Sequence, residues 1–147
     1  MFPAVADSVR SPTITADLGS EMLRCPMDCS IDTVLRYRVA MASRNLIDRA
    51  GMALAEAAGA DSQVILFGSY ARGEERPDSD FDFLVIEPEV RDRLGESVRL
   101  GKLVGELGIP ADVVVVSEDH VREWGELPGT MVHDALTEGK IVGGRAA

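Results

Sequence analysis

Val64-Ile65-Leu66-Phe67-Gly68-Ser69-Tyr70-Ala71-Arg72-Gly73 is separated by four residues from Asp78-Ser79-Asp80-Phe81-Asp82-Phe83-Leu84-Val85-Ile86, and the fold is read from this pair of segments. Each holds a short apolar run with turn residues at its edge, the mark of a buried strand. The first run ends at Gly68. The second begins as the acids end and is closed by Pro88. Side chains two apart on a strand share a face, so Asp80 and Asp82 are expected to project together, one at the strand's entrance and one just inside it. Phe81 and Phe83 then face the core and decide which side the acids occupy.

Two adjacent carboxylates repel, and one keeps its proton unless a cation lies between them. Held on a rigid strand, such a pair suits a hard, oxygen-seeking ion such as Mg²⁺. Further along, Asp112 opens the run Val113-Val114-Val115-Val116, and a neighbouring strand there would bring a third acid beside the first two. Three carboxylates can hold two Mg²⁺ roughly 3.5–4 Å apart, one activating an attacking oxygen and one neutralising a leaving group. Gly68 and Gly73 let backbone approach a ligand closely. Ser69 and the N–H groups beside it follow a strand, where turns form anion-binding nests. Phosphates would lie there, within reach of ions held by Asp80 and Asp82.

Outward from this centre, Leu35, Val39, Ala42, Leu46, Ala50, Ala53 and Ala57 recur at helical spacing. Asp32 is the expected N-cap and Gly59 the expected stop, while Gly51 weakens the helix by about 1 kcal/mol relative to Ala. Residues 68–80 read as a polar loop. Leu94, Val98, Leu103 and Leu107 predict a helix over residues 90–107, weakened by Gly95, Gly101 and Gly105 and stopped by Gly108 and Pro110. Ser117 is expected to cap a short helix through Trp124, and Thr130 a last helix ending at Gly139. The pattern is α/β (α+β): a small mixed sheet flanked by helices. Residues 1–30, with three prolines and no sustained period, read as a poorly ordered extension, leaving 31–147 as one domain.

Composition narrows the partners. Fifteen Lys and Arg against 25 Asp and Glu give a net charge of −10 in 147 residues, with no cluster of basic side chains. Gripping a phosphate backbone needs such clusters, so direct binding of polymeric nucleic acid is disfavoured. No apolar run reaches the roughly 18–20 residues that span a bilayer, and the start lacks the pattern of a secretory signal. The expected location is the cytoplasm, where Cys25 and Cys29 read as reduced thiols, too few for a zinc site. His120 and His133 read as surface or capping residues, Trp124 as cover for the core's edge, Tyr37 as core or rim, and Glu74-Glu75 as a solvated face.

Gly68-Ser69, then Ala71-Arg72-Gly73, then Ser79-Asp80-Phe81-Asp82-Phe83 resemble the signature of the DNA polymerase beta-type nucleotidyltransferase superfamily. That signature is a Gly-Ser pair, an Asp-x-Asp about ten residues later, and a third acid on a later strand. The resemblance covers about residues 32–142. Within the superfamily the chain is most similar to the minimal nucleotidyltransferases (MNT proteins), MntA-like antitoxins of HEPN–MNT pairs; Pro128-Gly129-Thr130 and Ala135-Leu136-x-Glu138-Gly139 resemble that group's C-terminal segment. The resemblance implies a nucleotidyltransferase fold and an antitoxin that moves AMP from ATP onto a tyrosine of a HEPN toxin. It implies Gly68 and Ser69 on the nucleotide phosphates, Asp80, Asp82 and Asp112 on two Mg²⁺, and Asp112 as an aid in deprotonating the acceptor. Arg72 either binds phosphate or braces the loop. Two other readings stand beside it: nucleotidylation of a small molecule such as an aminoglycoside, and an antitoxin that works by occlusion without catalysis.

Overall fold

The computed structural model describes residues 31–145, so the expectations for 1–30, including Cys25 and Cys29, lie outside it. Nine elements follow in order: α1 (Ile31–Ala58), β1 (Gln63–Phe67), α2 (Ser69–Arg72), β2 (Phe81–Glu87), α3 (Arg93–Glu106), β3 (Ala111–Ser117), α4 (Glu118–Trp124), α5 (Met131–Glu138) and β4 (Lys140–Gly144). A boundary between compact units falls inside α1, between Arg38 and Val39.

The four strands form one mixed sheet in the order β3-β2-β1-β4. β1 runs antiparallel to both β2 and β4, and β2 runs parallel to β3. Alternation along the strands sorts their side chains onto two apolar faces. On one, Val64, Leu66, Phe81, Phe83, Val85, Val113 and Val115 pack against Ala50 and Leu54 of α1 and Leu100 and Val104 of α3. On the other, Ile65, Leu84, Ile86 and Val116 meet Val132 and Ala135 of α5. Helices on both faces explain why the strands read as continuous apolar runs.

The strong local signals fall where expected. Ser117 accepts a hydrogen bond from the His120 N–H, and Thr130 from the His133 N–H, each capping its helix. Asp92 does the same for α3 through the Gly95 N–H at 3.0 Å, so that helix starts at Arg93 rather than residue 90. Asp32 is not a cap; it lies in the first turn of α1 and pairs with Arg36 at 3.3 Å. The apolar stripe of α1 is buried only in its later part, at Ala50 and Leu54, while Leu35, Tyr37 and Val39 are exposed. Periodicity shows that a face is apolar and says nothing of what covers it. Trp124 is likewise 40% exposed, its ring stacked on His120 with centroids 5.9 Å apart.

Two elements differ from the reading. Residues 69–72 of the polar loop form the short helix α2, and Lys140–Gly144 add a fourth strand, β4. β4 has only Ile141 and Val142 to offer as apolar residues and no length over which a period could show; its pairing with β1 holds it in place.

Candidate active site

The site is assembled by register. Phe67, the last residue of β1, sits opposite Asp82 across the antiparallel ladder. Asp82 in turn sits opposite Asp112 across the parallel one. Asp82 shares a face with Leu84 and Ile86, and Asp112 with Val114 and Val116, so both carboxylates stand at one end of the apolar face covered by α5. Phe81 and Phe83 point the other way and are buried. The start of β2 is tied to the segment before β3 by the Phe81 N–H donating to the Pro110 carbonyl at 3.0 Å. Asp80 precedes β2 and is exposed, Asp112 is exposed, and Asp82 between them is half-buried.

Gly68 leads the chain out of β1 beside these acids. Its φ of 74° and ψ of −150° belong to a region that is open essentially to glycine. A Cβ there would collide with the Asp82 carboxylate. Glycine at 68 therefore both makes the turn and leaves room for the acid. The turn continues into α2, where the Tyr70 ring packs on Phe81 with centroids 4.3 Å apart and so fixes the loop to the core. Ser69 is half-buried at the start of α2, and Gly73 ends α2 in the left-handed conformation.

Charge is concentrated here without balance. Burial first, then the negative charges of Asp112 and Asp80, push the Asp82 carboxyl above its usual range, while the Arg72 guanidinium pulls it back. Arg72 itself is engaged by Glu74 at 2.9 Å through Nε and by Glu138 at 3.3 Å through Nη1. Glu74 is thus a direct partner of Arg72 and not only part of a solvated face. An acid two residues beyond Arg72, past a glycine, was the signal for it. Glu138 carried no such signal, since only the fold brings residue 138 to residue 72.

The donor set fits a hard divalent cation. It consists of carboxylate oxygens with no thiolate or imidazole, and one of them, Asp82, is raised in pKa by burial and then by the neighbouring acids, a charge penalty that a cation relieves. Among the described residues, no three His, Cys, Asp or Glu side chains stand close enough as placed to hold one ion. Asp82 and Asp112 are the pair that the register sets side by side, with Asp80 at the strand's entrance.

A glycine turn after a strand is thus set against paired carboxylates on the next two strands, an arrangement able to receive a divalent cation. The nucleotidyltransferase domain model matches residues 52–140, and the chain belongs to that family. No curated protein matches the chain. Among solved structures it is similar to a chain of a toxin–antitoxin complex with AMP-PNP, at 25% identity over 69% of this chain and 73% of that one, with a TM-score of 0.46. A complex of tri-AMPylated Shewanella oneidensis HEPN toxin with MNT antitoxin gives 22% identity, 69% and 72% coverage, and a TM-score of 0.43. A mutant of the MntA-HpeT toxin–antitoxin gives 22%, 63% and 68%, and 0.43. No described helix is long and apolar enough to cross a membrane.

Proposed function

We propose that this nucleotidyltransferase moves AMP from ATP, with Mg²⁺, onto a hydroxyl of a partner protein, a tyrosine of a HEPN-type toxin, and acts as its antitoxin. The observation that carries the chemistry is the register that sets Asp82 between Asp112 on one side and the Gly68 turn on the other. The choice of acceptor rests on the resemblance of the Gly68-to-Phe83 signature and the Pro128-to-Gly139 segment to MNT antitoxins. The exposure of Asp80 and Asp112 at the end of the sheet supports an acceptor that arrives from outside the chain.

In this reading Gly68, Ser69 and the backbone N–H groups beside them cradle the triphosphate. Asp82 and Asp112, the pair that the register sets side by side, would hold the metal, with Asp80 joining them from the strand's entrance. Bound magnesium supplies neutralisation of the triphosphate charge and activation of the acceptor oxygen. The acceptor oxygen forms a bond to the α-phosphorus as the bond to the bridging oxygen of pyrophosphate breaks; Asp112 takes the acceptor's proton and pyrophosphate leaves. Arg72 faces the phosphates from the end of α2.

The test uses α-phosphate-labelled ATP, Mg²⁺ and a lysate of the source cell, resolved on a denaturing gel with and without the protein. The expected result is label on one discrete protein, lost with Asp82→Ala while the variant keeps its fold. Label that persists with Asp82→Ala rejects the site. Absence of protein label with every NTP rejects a protein acceptor and turns attention to small-molecule acceptors or to occlusion.

A further inference from the structure

Glu138 closes α5, and the residue after it lies hard against β1. A Cβ at Gly139 would come within 3.1 Å of the Leu66 carbonyl oxygen and would collide with the Ala135 carbonyl and the Ile65 side chain. Lys140 then pairs with Leu66 in the sheet. These contacts deliver the end of α5 to the end of β1, where the Gly68 turn begins. There Glu138 accepts a hydrogen bond from Arg72 Nη1 at 3.3 Å, while Glu74, on the loop after α2, accepts from Nε at 2.9 Å. A guanidinium has five N–H donors in a rigid fork. Two are used by these acids, and three remain. The Arg72 N–H donates to the Gly68 carbonyl at 3.2 Å, which keeps Arg72 one turn beyond the Gly68 turn that abuts the Asp82 carboxylate.

Two effects compete. The acids reduce the positive field that Arg72 presents to a triphosphate. They also hold a long, exposed side chain in one place, so that less freedom is lost when it takes a phosphate. As a stabilising contact an exposed ion pair contributes little, and two acids from separate elements on one guanidinium are more than stability calls for. We infer that Glu138 is a positioning residue: it holds Arg72 at the lip of the nucleotide site with its free N–H groups available to the triphosphate. This rests on the reading above that Gly68 and Ser69 receive the phosphates.

The test is calorimetric binding of a non-hydrolysable ATP analogue with Mg²⁺ to the full chain, as wild type, Arg72→Ala, Glu138→Ala, Glu138→Gln and the double variant Arg72→Ala/Glu138→Ala. Glu138→Ala is expected to weaken binding about two- to tenfold, the effect of freeing one long side chain, with an unchanged Tm. Glu138→Gln, which keeps an acceptor oxygen, restores most of the affinity. In the double variant the loss equals that of Arg72→Ala alone, because both changes remove one interaction. Unchanged or tighter binding by Glu138→Ala overturns the inference, as do losses that multiply in the double variant. A wild-type chain that binds no nucleotide instead overturns the reading of the site itself, and the two failures are told apart by that control.

Discussion

At the scale of single residues, position 68 carries two demands at once: a backbone conformation closed to other residues, and space for the Asp82 carboxylate. Gly68→Ala would have to accept about 1–3 kcal/mol of backbone strain or push Asp82 away. Chemical denaturation should show a loss in that range, and transfer activity should fall at least about tenfold, as a reacting group displaced by an ångström loses far more than that. Full activity in a folded Gly68→Ala protein would show that Asp82 is not placed by this turn. At the other end of β2, Glu87 is buried, and its Oε1 has no hydrogen-bond partner among the described residues. Burial first and then the charge of Glu96 raise its pKa, against the pull of Arg99. A carboxyl whose pKa is raised in the folded state binds its proton more tightly there than in the unfolded chain. Stability is then fully present below the ordinary carboxylate range and falls as pH rises through the raised value. Glu87→Gln removes that fall and offers its amide N–H to Glu96. Its Tm should exceed that of wild type near about pH 7, and the difference should shrink or reverse near about pH 4. A Tm at neutral pH below wild type would mean that the Glu87 charge is satisfied.

At the scale of elements, the glycines that weaken local propensity are the ones that let elements meet. Gly51 was expected only to cost α1 helix stability, yet a Cβ there would collide with the Val142 carbonyl oxygen, and one at Gly143 would collide with the Gly51 carbonyl. Helix and strand touch backbone to backbone at this crossing. Gly51→Ala recovers about 1 kcal/mol of helix propensity but overpacks a buried contact, which costs about 1–3 kcal/mol. Net destabilisation of about 1–2 kcal/mol is expected by chemical denaturation, and a net gain would show that α1 and β4 separate without cost. The loop from Gly68 to Asp80 teaches the same lesson in another form. Its polar residues hid α2, because four residues are too few to display a helical period and the helix is anchored by Tyr70 on Phe81.

At the scale of the whole molecule, a sheet covered on both faces leaves its strand ends as the place for polar chemistry. Asp82 and Asp112 stand where the apolar face gives out, so the same alternation that builds the core aims the acids. The acidic balance of the chain agrees with this: Asp80, Asp82 and Asp112 outnumber the Arg72 guanidinium around Asp82, a negative field that would repel a bare anionic nucleotide and that a bound cation would relieve. The sequence by itself determined the strands β1, β2 and β3, the caps at Ser117 and Thr130, the face taken by Phe81 and Phe83, and the candidate acids, because each of these depends on neighbours within a few positions. Tertiary structure alone decided the register that sets Asp82 against Asp112, the pairing of the short strand β4, the part of α1 that is buried, and the meeting of Arg72 with Glu138. Those four depend on residues dozens of positions apart, and propensity and period carry no information across such distances.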